Sequence, residues 1–243
     1  MSARGINRLL AGTTIAAGLL LAGFLGWFIR AELGVQRSGA AKAPVIGRAP
    51  VYRDLINQLG QPVSSSQFKG KIRVVTFLFP YCTTYCPLTA AHLVGFENLL
   101  RTAGLQNRVQ IVAFDVDPAG TGPGQMRAFL KEYGWDPKDL HWQYLTGAPK
   151  AIRHVVTGGY HIAYTKTSDD DGDQPRGPEE TPQPTVVNPL ARKAHVDYDI
   201  THNDALVIVD ARGRIRKVYD QADTVSGQQL LAAIHPLLHD APH

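Results

Sequence analysis

Apolar positions along this chain follow two alternating patterns. Ile72 to Phe79 (IRVVTFLF) is a nearly continuous apolar, β-branched run, as expected of a strand buried on both faces. Pro87 to Ala103 then reads as a helix, with proline in its first turn and Leu93, Phe96 and Leu100 at helical spacing. Val109 to Val116 (VQIVAFDV) repeats the strand pattern. Met126, Phe129, Leu130 and Tyr133 mark a second helix after Pro123, which assigns Met126 to the core rather than to a metal. Trp142 to Leu145 predicts a strand, Pro149 to Val156 a short helix, and His161 to Thr165 a further strand. Leu206 to Asp210 and Arg214 to Tyr219 flank Ala211-Arg212-Gly213 as a hairpin. Ser226-Gly-Gln-Gln229 is a capping-box pattern, opening a last helix with Leu230, Ile234, Leu237 and Leu238 on one face. Alternation of this kind predicts an α/β domain with a largely parallel sheet covered on both faces.

Two stretches fall outside that rhythm. Leu9 to Ile29 contains 21 residues without a charge. A helix of that length spans roughly 30 Å, the thickness of a bilayer's hydrocarbon core. Arg4 and Arg8 precede it, so residues 1–8 are expected in the cytoplasm and residues 9–29 in the membrane as an uncleaved anchor. Arg30 and Glu32 follow it where a signal peptidase would need small residues. Residues 30–48 then form a linker, and residues 49–243 a domain on the far side. The simplest setting is a bacterial cytoplasmic (inner) membrane, crossed once, with the domain in the periplasm. The second stretch, residues 168–189, is acidic and proline-rich. It cannot bury a core and is expected to be a surface insertion.

Composition narrows the function classes only slightly. The 243 residues suit one ordinary domain plus appendages, and 44% hydrophobic content is enough for a core. The net charge of +4 is scattered, without basic residues interleaved with aromatics, so no nucleic-acid partner is expected.

The chemistry lies in the only two cysteines, Cys82 and Cys86, followed at once by Pro87. Cys82 is expected to end the first strand and Cys86 to enter the helix. Unpaired backbone N–H groups at that helix start favour thiolate. Thiolate serves disulfide exchange and metal binding alike, and an i, i+4 pair can bridge or share one ion. Two thiolates do not close a zinc site but begin a Cu(I) site, for which soft sulfur is selective. A third ligand would come from a distant histidine. His92 is turned about 240° away from Cys86 around the helix. His195 and His202 both approach the hairpin, and His202 is expected in the turn just before its first strand.

Three patches in order now bear a family resemblance. They are Cys82-x-x-x-Cys86-Pro87 after an apolar strand, Phe114-Asp-Val-Asp117-Pro118 ending the second strand, and His202 ahead of Leu-Val-Ile-Val-Asp-x-x-Gly213. Over about residues 49–238 the sequence resembles the Sco/SenC family of copper-binding cytochrome c oxidase assembly proteins. The resemblance implies a thioredoxin-like fold, a central mixed sheet with flanking helices, behind a single N-terminal transmembrane helix. It implies a copper ion, Cu(I) or Cu(II), held by Cys82, Cys86 and His202, with Asp117 as a supporting residue that docks a partner or tunes the site. A plain helix cap is the other reading of Asp117. The implied partner is the copper-centre subunit of cytochrome c oxidase, joined by another copper chaperone or a thiol reductase. The implied role is a metallochaperone for the dinuclear copper centre. The alternative is a thiol-disulfide oxidoreductase acting on that partner's cysteines. A third reading, a binding module with a structural disulfide, is weak because so short a loop saves little chain entropy. The chain departs from the family in Thr83-Thr84-Tyr85, where an acidic residue is common, and in its long acidic insertion.

Overall fold

In a computed structural model, residues 44–168, 188–194 and 198–240 are described. They build an eight-stranded sheet and a separate two-stranded ribbon. The sheet holds β1 (Gly47–Arg48), β2 (Leu55–Asn57), β3 (Pro62–Val63), β4 (Ile72–Leu78), β5 (Val109–Asp115), β6 (Trp142–Gly147), β9 (Leu206–Val209) and β10 (Arg214–Tyr219). Their spatial order is β1-β10-β9-β4-β5-β6-β2-β3. β7 (Tyr164–Ser168) and β8 (Tyr198–His202) form the ribbon.

The central strands β4, β5 and β6 run parallel, and every residue of β4 and β5 is buried. A parallel neighbour requires a crossover, supplied by α1 (Cys86–Thr102) and α2 (Pro123–Glu132). β9 pairs antiparallel to β4 and β10 antiparallel to β9, which makes the sheet mixed. The hairpin turn after β9 uses Gly213 at φ 78°, a conformation open to glycine.

Alternate residues of each strand face opposite sides. One side carries Phe77 and Phe114, 6.1 Å apart; Tyr160 meets both and Tyr52 meets Phe114, at ring separations of 5.5 to 5.7 Å. The other carries Tyr144, against which Phe129 of α2 packs. Met126 is fully buried with Phe129 and Leu130 in the core. The closing helix α5 (Gly227–Ile234) is capped by Ser226, whose hydroxyl accepts from Gln229 while Gln229 returns a bond to the Ser226 N–H. It lies so close to α1 that a Cβ on Gly227 would stand 2.9 Å from the Phe96 nitrogen. Glycine there permits the approach.

Two expectations shift. The helix α3 (Pro149–Arg153) widens into a π turn over His154–Gly159. The following strand begins at Tyr164, not His161. His161 takes a left-handed φ of 61°, and bonds from Ile162 to Val156 and from Thr157 to Ile162 hold those residues in a loop. The expected transmembrane segment, residues 9–29, lies outside the described residues. Among those described, no helix is long and apolar enough to cross a membrane. The middle of the acidic insertion, residues 169–187, also lies outside them.

Candidate metal centre

The carboxyl ends of β4 and β5 open onto one edge of the sheet, the edge at which α/β folds present ligand-binding groups. After β4 ends at Leu78 the chain turns, with the Cys82 N–H donating to the Phe79 carbonyl at 3.0 Å. Cys82 therefore sits in the loop after the strand rather than at its end. Cys86 is the first residue of α1. Both thiols are free and buried, at 4% and 1% exposure. This loop is tied down from far along the chain. Asn188, 2% exposed, donates to the carbonyls of Pro80 at 3.0 Å and Cys82 at 2.7 Å. Its own carbonyl oxygen accepts from Leu190 N–H at the start of α4 (Pro189–Ala194).

His202 closes β8, four residues before β9 opens at Leu206. It is thus a strand terminus rather than a turn residue. Its Nε2 lies 3.9 Å from Cys86 Sγ, across 116 residues of sequence. Its Nδ1 lies 3.1 Å from the carbonyl of Asn203. A carbonyl can only accept, so Nδ1 carries the proton in that bond and Nε2 turns a lone pair toward the sulfur. Metal–sulfur and metal–nitrogen bonds of about 2.3 and 2.0 Å together exceed the 3.9 Å gap, so one ion can touch both atoms. Among the described residues, however, no group of three or more His, Cys, Asp or Glu is drawn together as a closed metal cluster. Cys86 and His202 are adjacent, and Cys82 joins them through its contact with Cys86.

The two thiols differ. A hydrogen bond from Cys86, and a weaker one from Thr84, bring Cys82 down to about 5 against the opposing effect of burial. Burial, with the Cys82 charge beside it, pushes Cys86 well up. The expectation that the helix-start thiol is the acidic one is therefore corrected. At Cys86 loss of solvent outweighs the helix dipole, and the stabilised anion belongs to the loop cysteine. Asp204 also faces the pair, and its own burial raises it to about 7.

Asp117 is 3% exposed and caps no helix, because α2 begins behind Gly122. Its Oδ2 accepts from the Tyr198 hydroxyl at 2.6 Å, and Oδ1 accepts from Gly120 N–H. Tyr198 opens β8, the strand that ends on His202. Asp117 therefore anchors the ribbon that presents the imidazole. A side chain on Gly120 would collide with both the Asp117 carboxylate and the Tyr198 hydroxyl. Beneath lies Asp115, accepting from Thr121, Thr146 and the Asp117 N–H at 2.7 to 3.0 Å. Burial nevertheless raises it to about 6. Tyr81 packs edge-on against Phe79 at the rim.

Sequence reading overlooked Asn188, Tyr198 and Asp115. Asn188 before Pro189 carried a helix-cap signal, but nothing local linked it to the cysteine loop. Tyr198 stood four residues before His202 as one more aromatic on a strand.

A mixed sheet with a two-thiol loop at the carboxyl edge, faced by one imidazole, defines a thioredoxin-like protein with a soft-metal or redox site. Comparison with known proteins is more specific: the SCO1/SenC family model matches residues 52–176, and the chain belongs to that family. It is 34% identical over 92 residues to the SCO1 protein homolog of Bacillus subtilis, a match covering 37% of this chain and 45% of that relative. The structure of Arabidopsis thaliana ScoI with copper bound superimposes with a TM-score of 0.58 at 21% identity, covering 79% of this chain and 98% of that one. BsSco, described as having a disulfide switch and as a member of the Sco family of cytochrome c oxidase assembly proteins, gives a TM-score of 0.56 at 21% identity, over 79% and 94%.

Proposed function

We propose that this protein binds copper through Cys82, Cys86 and His202 and passes it toward the dinuclear copper centre of cytochrome c oxidase. The observation that carries this reading is the approach of Cys86 Sγ and His202 Nε2 to 3.9 Å. The donors suit the cargo, since thiolate and neutral imidazole favour Cu(I) over hard cations. Each residue has a separable task. Cys82 is already held as the anion that a soft metal needs. Cys86 is buried as a thiol and would release its proton when metal enters. The Asn203 carbonyl keeps the imidazole in the ligating tautomer. Asn188 and the Asp117–Tyr198 bond fix the two segments that must meet. Family membership and the copper-bound Arabidopsis relative support the same reading.

The setting is part of the proposal. Residues 9–29 anchor the chain in the bacterial inner membrane, and the domain faces the periplasm, where the copper-centre subunit of the oxidase is the partner. The uncharged length of that segment and the arginines before it support this topology.

The test is a titration of the reduced full-length protein, in neutral detergent, with Cu(I) against a competing chelator. One tightly held ion is expected, with affinity falling in His202→Ala and lost in Cys86→Ser. Absence of stoichiometric uptake, or wild-type affinity in both variants, would sink the proposal.

A further inference from the structure

At the opposite end of β4 from the cysteine loop, the sheet carries a cavity of about 730 Å³. Its walls come from β1, the turn that follows the Ser65–Phe68 helical turn, the start of β4, and the hairpin turn Ala211–Gly213. Four cationic residues line it: Arg48, Lys69, Arg73 and Arg212. Among the described residues, no acidic one lines it. The nearest acid in sequence, Asp210, is already held by Arg214 at 2.7 Å and Arg216 at 3.0 Å.

Arg73 is the informative member. It is only 6% exposed, yet its Nε has no hydrogen-bond partner, and its side chain makes no ion pair among the described residues. Its neighbours Tyr52 and Tyr160 are neutral phenols, both held far on the protonated side by burial. Burying a guanidinium without an anion is costly, so such groups are normally paired. Nothing in the hydrophobic packing requires arginine here, because β4 is otherwise apolar on this face, with Val75 and Phe77 following at alternate positions. A buried, unpaired arginine on a cavity wall, with three more cations around the mouth, is the arrangement that receives an oxyanion.

The rest of the site describes what the oxyanion is attached to. The wall is mainly apolar, with Phe68, Pro50 and Val51 in it. Val51 is 70% exposed, and Val45 and Ile46 beside β1 are 53% and 58% exposed. These exposed aliphatics flank Arg48 along the chain, and of them Val51 lines the cavity itself. They suit a surface that receives an amphiphile with a charged head.

We propose that this cavity binds a phosphate group, with Arg73 at its base and Arg48, Lys69 and Arg212 around it. The phosphate is the head of an acidic phospholipid, or free phosphate bound by the same groups. Through Arg73 the site lies roughly 17 Å along β4 from the strand end that leads to the cysteines, so the two sites are separate.

The experiment is thermal unfolding of the full-length protein in neutral-detergent micelles at fixed ionic strength. Three additions are compared: inorganic phosphate, phosphatidylglycerol, and phosphatidylcholine. A ligand of the native state raises the midpoint as its concentration rises. The expected result is a rise with phosphatidylglycerol and none with phosphatidylcholine. A rise with inorganic phosphate as well assigns the site to free phosphate. Arg73→Gln should weaken the apparent affinity about tenfold or more, as loss of a charged hydrogen-bond pair implies. The double variant Lys69→Gln, Arg212→Gln alters only exposed side chains and keeps the test valid if Arg73→Gln fails to fold. Cu(I) uptake should be unchanged in the double variant. The proposal is overturned if neither phosphate source raises the midpoint, or if the rise persists undiminished in the double variant.

Discussion

Asn188→Ala is the most incisive change the structure suggests, because it touches neither sulfur nor imidazole. Asn188 is 2% exposed and makes three hydrogen bonds, two donated to Pro80 and Cys82 carbonyls and one accepted from Leu190 N–H. Alanine leaves those backbone groups without their partner. Each buried group so stranded costs about 1–3 kcal/mol, unless the loop moves to reach water. Movement is the cheaper course, because residues 80–85 form an irregular loop outside any helix or strand, so the cost should emerge as local opening. A local loss of about 2 kcal/mol raises the open population roughly thirtyfold, since 1.4 kcal/mol is a factor of ten. Hydrogen–deuterium exchange read by mass spectrometry over peptides spanning residues 79–88 measures it directly. Exchange there should accelerate by that order while β4 and β5 stay protected. Asn188→Asp should do worse above neutral pH, because a carboxylate would face the two carbonyls that the amide now serves. Unchanged exchange across residues 79–88 in the alanine variant would refute the claim that Asn188 holds the cysteine loop.

Three further predictions follow from the same geometry. Tyr198→Phe removes the 2.6 Å bond to Asp117, costing about 1.5–3 kcal/mol as a hydrogen bond to a charged group, and should weaken Cu(I) binding several-fold in chelator competition; Gly120→Ala should reproduce it by collision, and a normal affinity in both would separate Asp117 from His202. Asp115, raised to about 6 from an ordinary 3.8, contributes stability that is fully present below about 3.8 and lost as pH rises through about 6. Asp115→Asn should flatten that dependence, by up to about 3 kcal/mol, and a urea-midpoint profile across pH 4 to 7 that is identical to wild type would contradict it. Cys82 is lowered to about 5 and Cys86 raised, so iodoacetamide should modify Cys82 first, at a rate nearly flat from pH 8 to 6 and falling below about 5; preferential labelling of Cys86 in peptide mapping would reverse the assignment.

What was legible in the sequence was whatever depends on neighbours along the chain. The buried runs of β4 and β5, the spacing of Leu93, Phe96 and Leu100, the capping box at Ser226 and the hairpin before Gly213 each carry their cause within a few residues. Cys82 and Cys86 were conspicuous for the same reason, one turn apart at a strand-to-helix junction. His161 was misjudged as strand because a π turn and a left-handed residue arise from closing the loop against Val156, not from side-chain pattern.

Everything that gives the two thiols their character required the tertiary structure. The imidazole reaches Cys86 across 116 residues, and Asn188 reaches the Cys82 carbonyl across 106. Asp117 meets Tyr198 across 81. The order of thiol acidity also turned on burial. By position Cys86 at a helix start should be the anion, and only its enclosure transfers that role to Cys82. Local sequence sets backbone preference and amphipathic pattern. Solvent exclusion and contacts between distant segments exist only once the chain has folded, and they decide which groups are charged and which atoms can share a ligand.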